Sequence, residues 1–482
     1  MVITFIGAIQ MVIGLAILIV GSLRSSFLFL ILSCLFGGSA AILLPALGGS
    51  SIPPSQIALI FVALRILAPA GGYMGRIPEA FRANLWLAVF VFYGIAAAIL
   101  APRIFAGSMD VAPMRPLSVG GLFATVALEP SSQNLTSAFY LFGTLIAAIS
   151  AFILARYVKD GTDTLITAAI VVGWAHMALG LIVALAAGTP LDAFFELLRN
   201  GNYSQLSHSL QGFIRIRGIF PEASGFAEFG FAWFVINAEL WYRSIRPKAT
   251  GSVALCLAGI LFFSTSSTAY VGLAAYLVWF IGRALFVRTA IEGKRLAQFG
   301  AGALAIAAVL SVVLLINQEF VTRFADLVEQ MTVGKSSSSS GEQRLFWALQ
   351  GLDAFRNSFG VGIGPGSFRS SSFLTAVAGS TGIVGILSFT LYVLRVFEPS
   401  RRSSYGRVEM AELTIGGAFA AAAILSLIPA AVSSPRADPG ILFAIFAGAA
   451  IGLRPRMQLA TTDTQPDHQA VQYQISNQAQ PC

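Results

Sequence analysis

Apolar runs as long as a bilayer is thick, which takes about 20 helical residues per crossing, recur from residue 2 to residue 453. No sizeable soluble domain fits between them. About thirteen spans satisfy the length criterion, near 2–22, 27–46, 55–71, 84–101, 137–154, 164–187, 221–242, 251–263, 268–282, 298–316, 373–394, 411–429 and 439–453. The first, Val2 to Ser22, lacks a basic n-region and a small-residue cleavage site and is too long for a cleavable signal. Composition agrees, since charged residues are 11% and hydrophobic ones 56%, where a soluble domain carries about 25% charge. The fold class expected is an all-α polytopic integral membrane protein over 1–453, with a disordered tail at 454–482.

The net charge of +8 would suggest nucleic acid in a soluble chain. Its distribution points to orientation instead. The loops after spans 1, 3, 5, 7, 9, 11 and 13 hold 18 of the 30 Lys and Arg residues; the opposite set holds 11, and Arg65 lies within a span. The first set is therefore expected to be cytoplasmic, with the C-terminal tail. Three long loops, 102–136, 188–220 and 317–372, are then expected outside. Cys34 and Cys256 fall in apolar runs and Cys482 is the last residue, so neither a disulfide framework nor a metal-ligand cluster is offered.

The loop 317–372 can form two helices, Glu319 to Met331 and one capped by Ser340, with Gln343 completing a capping box. On the second, Leu345, Phe346, Leu349, Leu352 and Phe355 recur at helical spacing, a stripe that suits a lid on a cavity mouth or plain packing on the bundle. At 221–225, Pro221 suits a first helical position and puts Glu222 in the first turn. A carboxylate there stabilises a helix by itself. Arg215 and Arg217 shift the balance, because two guanidinium groups lie where positive charge is depleted and need compensation. An anionic ligand held by their planar forks is one solution; an ion-pair network with Glu222 and Glu228 is the other.

A second anion-binding feature is Gly360 to Ser372, where Gly362, Gly364 and Gly366 could turn N–H groups toward a ligand, with Arg344 and Arg369 nearby. Ser224 and His208 are further candidates for substrate contacts. Arg65, within its span, needs a partner, for which Glu239 is the candidate. His176 reads as a neutral, hydrogen-bonded helix residue rather than a proton relay, and the hydroxyl run Ser264 to Thr268 either binds sugar hydroxyls or satisfies the turn.

Three stretches carry a family resemblance: Arg217 to Ser224, Arg344 to Leu349 followed by Gly360 to Gly364, and Ala378 to Gly385. In order and spacing they resemble the O-antigen polymerase and O-antigen ligase group, Wzy-type polymerases and their ligase relatives. The resemblance implies a fold like the GT-C-type lipid-linked glycan transferases, in the bacterial inner membrane, with a periplasmic active site. It implies a glycosyltransferase using neither cofactor nor metal, whose donor is an undecaprenyl-pyrophosphate-linked oligosaccharide and whose partners include a chain-length-regulating co-polymerase and a flippase. Arg215, Arg217 and Arg344 would face the pyrophosphate and Glu222 the acceptor hydroxyl. Ligases of the group usually carry a histidine where this chain has Ser371-Ser372. That departure favours a polymerase over a ligase; a lipid-linked glycan transporter is the rival from another class.

Overall fold

The computed structural model describes residues 1–45, 49–115, 123–201, 209–210, 213–286, 339–398 and 407–454, with isolated positions between 293 and 308. Fifteen α-helices form among them: α1 Phe5–Val20, α2 Leu23–Ser33, α3 Pro54–Leu67, α4 Ile77–Ala83, α5 Leu85–Ile104, α6 Ser132–Tyr157, α7 Gly161–Ala186, α8 Pro190–Leu198, α9 Ala223–Tyr242, α10 Pro247–Phe263, α11 Ser267–Phe286, α12 Ser339–Asn357, α13 Phe373–Phe397, α14 Arg407–Ser433 and α15 Gly440–Gly452. Among the described residues, six helices are long and apolar enough to cross a membrane: α5, α6, α7, α11, α13 and the Ala411–Ser433 part of α14. Five shorter helices, α1, α2, α3, α10 and α15, are also apolar. Most of the expected tenth span, the whole helix expected at Glu319 to Met331, His208 and the tail from residue 455 lie outside the described residues.

The second apolar run does not form one helix. α2 stops at Ser33 and the chain turns into β2 (Ile42–Leu44), which lies between β1 (Val2–Ile3) and β3 (Ser50–Ile52) in an antiparallel sheet. The cause is at Gly37 and Gly38. A Cβ on either would fall 2.5–2.6 Å from Phe220 or the Ile219 carbonyl, and the Gly38 N–H donates to that carbonyl.

Large apolar side chains face outward along the helices, among them Val12, Ile19, Phe92, Leu100, Leu387 and Leu394, whereas Asn84, Asn134, Thr144 and Asn237 are buried. Continuous apolar exposure of this kind is stable against lipid, not water.

The connections fall at two ends of the bundle. One end is basic: Arg24 pairs with Asp160 at 3.2 Å, Arg156 with Glu79 at 3.1 Å, and Arg246 with Asp163. The other gathers the long loops, where the Arg369 N–H donates to Ala112 and the Ser370 N–H to Pro435. Arg65 does not meet Glu239. It donates to the Leu18 carbonyl at 3.1 Å, and Glu239 is held by Arg283 at 2.7 Å and by Arg243 one helical turn along α9, nearer partners that leave it no need of Arg65.

Candidate functional site

At the loop end, Arg215 and Arg369 both face the carboxylate of Glu222, Arg344 faces both of these arginines, and Arg436 faces Arg369. Glu222 is the N-cap residue of α9, with φ −138° and ψ 156°, so Pro221 precedes the cap rather than opening the helix. The Glu222 carboxylate accepts a hydrogen bond from Ser224 Oγ at 3.1 Å. Arg215 follows the strand β4 (Phe213–Ile214), Arg344 comes from the first turns of α12, Arg369 from the segment after it, and Arg436 from the α14–α15 linker.

Burial holds Arg215 and Arg369 below the usual arginine range. For both, the Glu222 carboxylate opposes that effect and the Arg344 guanidinium adds to it; Arg436 adds further at Arg369. The Nε atoms of Arg215 and Arg369 are buried without a hydrogen-bond partner among the described residues. Nor does any described carboxylate form an ion pair with Arg215, Arg344, Arg369 or Arg436. Aromatic faces support two of them: the Arg369 guanidinium lies 4.2 Å from the Trp347 ring centroid and that of Arg436 5.1 Å from Tyr140. Stacking of this kind fixes the guanidinium plane and leaves its edge free to donate.

Arg217 is not part of this group. It is 7% exposed, and its Nη2 donates to Glu196 Oε1 on α8 at 2.8 Å. The same oxygen accepts from Arg199 at 2.8 Å, and Arg199 also reaches Asp192 at 3.2 Å and the Gly218 carbonyl at 3.0 Å. Glu222 and Glu228 are therefore not its partners; Glu228 instead accepts from Ser433 at 3.1 Å. Sequence could not separate Arg215 from Arg217, because what separates them is the Glu196 carboxylate of α8, which holds Arg217.

The glycine-rich segment serves packing instead of forming an anion cradle. The Gly362 N–H donates to Ser358 Oγ at 2.8 Å and the Gly364 N–H to the Ser380 carbonyl at 3.0 Å, so both donors are spent on the protein. With φ of +91° and +90°, each lies where a Cβ would fall 2.5 Å from a carbonyl oxygen, of Ser380 and of Ala97. α13 is broken at Gly382 (φ 57°, ψ −152°), and the segment fits the break: Ile363 N–H donates to Gly379, and Ile383 N–H to Gly360, both at 2.8 Å. The helix before it starts by Ser339, which places Ser340 inside rather than at the cap, a first-turn position serine tolerates. Ser371 Oγ donates to the Arg344 carbonyl at 2.5 Å, tying the two arginine-bearing segments together.

Two site residues were not singled out from sequence. Arg436 and Asp438 come from the Ser434 to Pro439 linker between α14 and α15; Arg436 counts only among the outer-loop cations and Asp438 stands out in no sequence pattern. Asp438 Oδ1 accepts from Thr144 Oγ1 at 2.7 Å and from the Gly440 N–H at 3.1 Å. Burial pushes its carboxyl above the usual range, against the pull of these bonds and of Arg436. His176 is buried and stacked 3.9 Å from Phe226, with its Nε2 unpartnered among the described residues, and Ser264 donates to the Leu261 carbonyl of its own helix while the Thr265 and Thr268 hydroxyls have no described partner.

Fold and site together define an all-α protein with helices long and apolar enough to cross a membrane and an under-neutralised guanidinium cluster at one end. No family model matches the chain, and no curated protein or solved structure is similar to it.

Proposed function

We propose that the chain polymerises undecaprenyl-pyrophosphate-linked oligosaccharide repeat units at the periplasmic face of a bacterial inner membrane. The observation that carries the reading is the cluster of Arg215, Arg344 and Arg369 with the single carboxylate of Glu222. Three guanidinium groups and one carboxylate leave net positive charge in a partly buried place, which an anion with several oxygens neutralises. In the reaction the acceptor hydroxyl oxygen bonds to the anomeric carbon while the bond to the pyrophosphate oxygen breaks. The electron pair leaves on the pyrophosphate, and donors fixed beforehand at that point lower the barrier. The end that carries Arg24, Arg156 and Arg246 suits the cytoplasm, and in that orientation the arginine cluster would face outside. α12 carries Arg344, whose carbonyl accepts from Ser371 Oγ, and on this reading it serves as a cover for the cluster.

The test is polymer formation in liposomes from purified protein and the lipid-linked repeat unit, sized by gel. Ladders of increasing length support a polymerase. Transfer of the glycan to a lipid acceptor without lengthening indicates a ligase, and movement of the donor across the bilayer without new linkages indicates a transporter; either result overturns the reading.

A further inference from the structure

We infer that Asp438 accepts the proton of the attacking acceptor hydroxyl, an assignment that rests on the polymerase reading above. Beside the arginine cluster a crevice opens between α6, α13 and the α14–α15 linker, lined by Ser137, Tyr140, Phe368, Ser380, Arg436 and Asp438. Its interior has room for about one water, so a hydroxyl enters it and a sugar ring does not. Asp438 Oδ1 is occupied by Thr144 and Gly440, and its position is fixed by them. Among the described residues Oδ2 has no hydrogen-bond partner, and neither do the hydroxyls of Ser137 and Ser380 in the same crevice. One carboxylate oxygen and two hydroxyls left open in a narrow, aromatic-walled crevice form a receptor for an alcohol. Arg436 joins this crevice to the arginines, since it faces both Asp438 and Arg369. Glu222, by contrast, is committed to the arginines and to Ser224.

The step balances. The hydroxyl O–H bond breaks and its proton passes to Oδ2. The oxygen bonds to the anomeric carbon of the donor glycan, and the bond from that carbon to the pyrophosphate breaks with its electron pair on the leaving group. Arg436 on its own linker and Tyr140 on α6 are the charged and titratable groups that face Asp438; α13 presents Ser380.

The experiment compares wild type, Asp438→Asn and Thr144→Val in liposomes with the lipid-linked repeat unit, and measures the melting shift each protein shows with undecaprenyl pyrophosphate. Asp438→Asn is expected to lose turnover by at least about 100-fold, the usual contribution of a general base, with the melting shift retained. Thr144→Val removes a bond that favours the ionised carboxylate, so the acid limb of its pH–rate profile should move to higher pH. Turnover of Asp438→Asn within a few-fold of wild type overturns the assignment, as does loss of the melting shift, which would make Asp438 part of the donor site. An unmoved acid limb in Thr144→Val overturns it too, should the first variant fail to fold. A wild-type protein that makes no polymer from this donor fails the polymerase reading itself, before any variant is compared.

Discussion

Glu196→Gln tests whether Arg217 is structural. In the folded chain one oxygen of Glu196 accepts from Arg199 and from Arg217, each at 2.8 Å, and the two guanidinium side chains are 1% and 8% exposed. Removing one partner of a buried ion pair costs about 3–5 kcal/mol because a charge is left uncompensated. Three features reduce that figure here. The Glu196 side chain is 40% exposed, so water screens the pair; Asp192 still faces Arg199 at 3.2 Å; and glutamine keeps a carbonyl acceptor in the same place. What remains is about 1.5–3 kcal/mol, the range of a hydrogen bond to a charged group. Arg217→Met should cost a similar amount, and the double variant less than the two together by about 1 kcal/mol or more, because both single changes remove the same contact. The assay is denaturant unfolding in micelles of fixed composition, with polymer yield measured beside it. Full additivity would refute the pairing. Loss of turnover in Arg217→Lys at unchanged stability would return Arg217 to the donor site.

Arg215→Lys and Arg344→Lys should each lower polymerisation by at least about 10-fold, since an ammonium cannot reproduce a two-pronged contact; full activity in both would rule out bidentate recognition. Inorganic pyrophosphate at 100 times its Kd should stabilise the protein by about 2.7 kcal/mol, seen as a melting shift beyond that of chloride at equal ionic strength and reduced in Arg215→Met. Gly364→Ala should destabilise by about 1–3 kcal/mol, because alanine at φ +90° is strained and its methyl would press on the Ala97 carbonyl; an unchanged unfolding midpoint contradicts that packing. The raised proton affinity of Asp438 means that the folded state holds its proton more tightly than the unfolded one. Its stability contribution is therefore fullest below the usual aspartate range, about pH 4, and is lost as pH rises through the folded value. Asp438→Asn should melt above wild type near neutral pH, with the gap closing toward acid.

The helices were legible because apolar length is a strong signal: each expected span that the described residues cover contains a helix. What length could not distinguish was the run around Ala40 to Leu44, apolar yet forming a strand because Gly37 and Gly38 admit Phe220 and the Ile219 carbonyl. Arg215 was found because cations on the depleted side need a counter-charge, Glu222 as a carboxylate at a helix start, and Arg344 and Arg369 as cations beside the glycine-rich segment. The counter-charge argument selected Arg217 wrongly for the cluster, since its counter-charge comes from Glu196 on a helix 21 residues earlier. Arg436 counted only among the outer-loop cations and Asp438 stood out in no sequence pattern. Their meaning depends on the α14–α15 linker lying against Thr144, three turns into α6, and a sequence carries no periodicity for such a contact.

The glycines read as a phosphate cradle and the arginines read as phosphate ligands turn out to be coupled, though not as sequence suggested. Like charges crowded around one carboxylate repel, by about 4 kcal/mol per pair at 4 Å in a surface-like dielectric, so a cluster of this kind needs a rigid frame to persist without its anion. The frame is the broken helix. Gly382 lets α13 open, and the 360–364 backbone fills the opening with hydrogen bonds to Gly379, Ser380 and Ile383, while Tyr93 donates to the Val361 carbonyl at 2.9 Å. From that anchored segment the chain runs directly to Arg369, and Ser371 then fastens Arg344. On the proposed reading the positive-φ glycines would serve anion recognition at one remove: by letting backbone approach backbone, they anchor the segment that carries Arg369 and fastens Arg344.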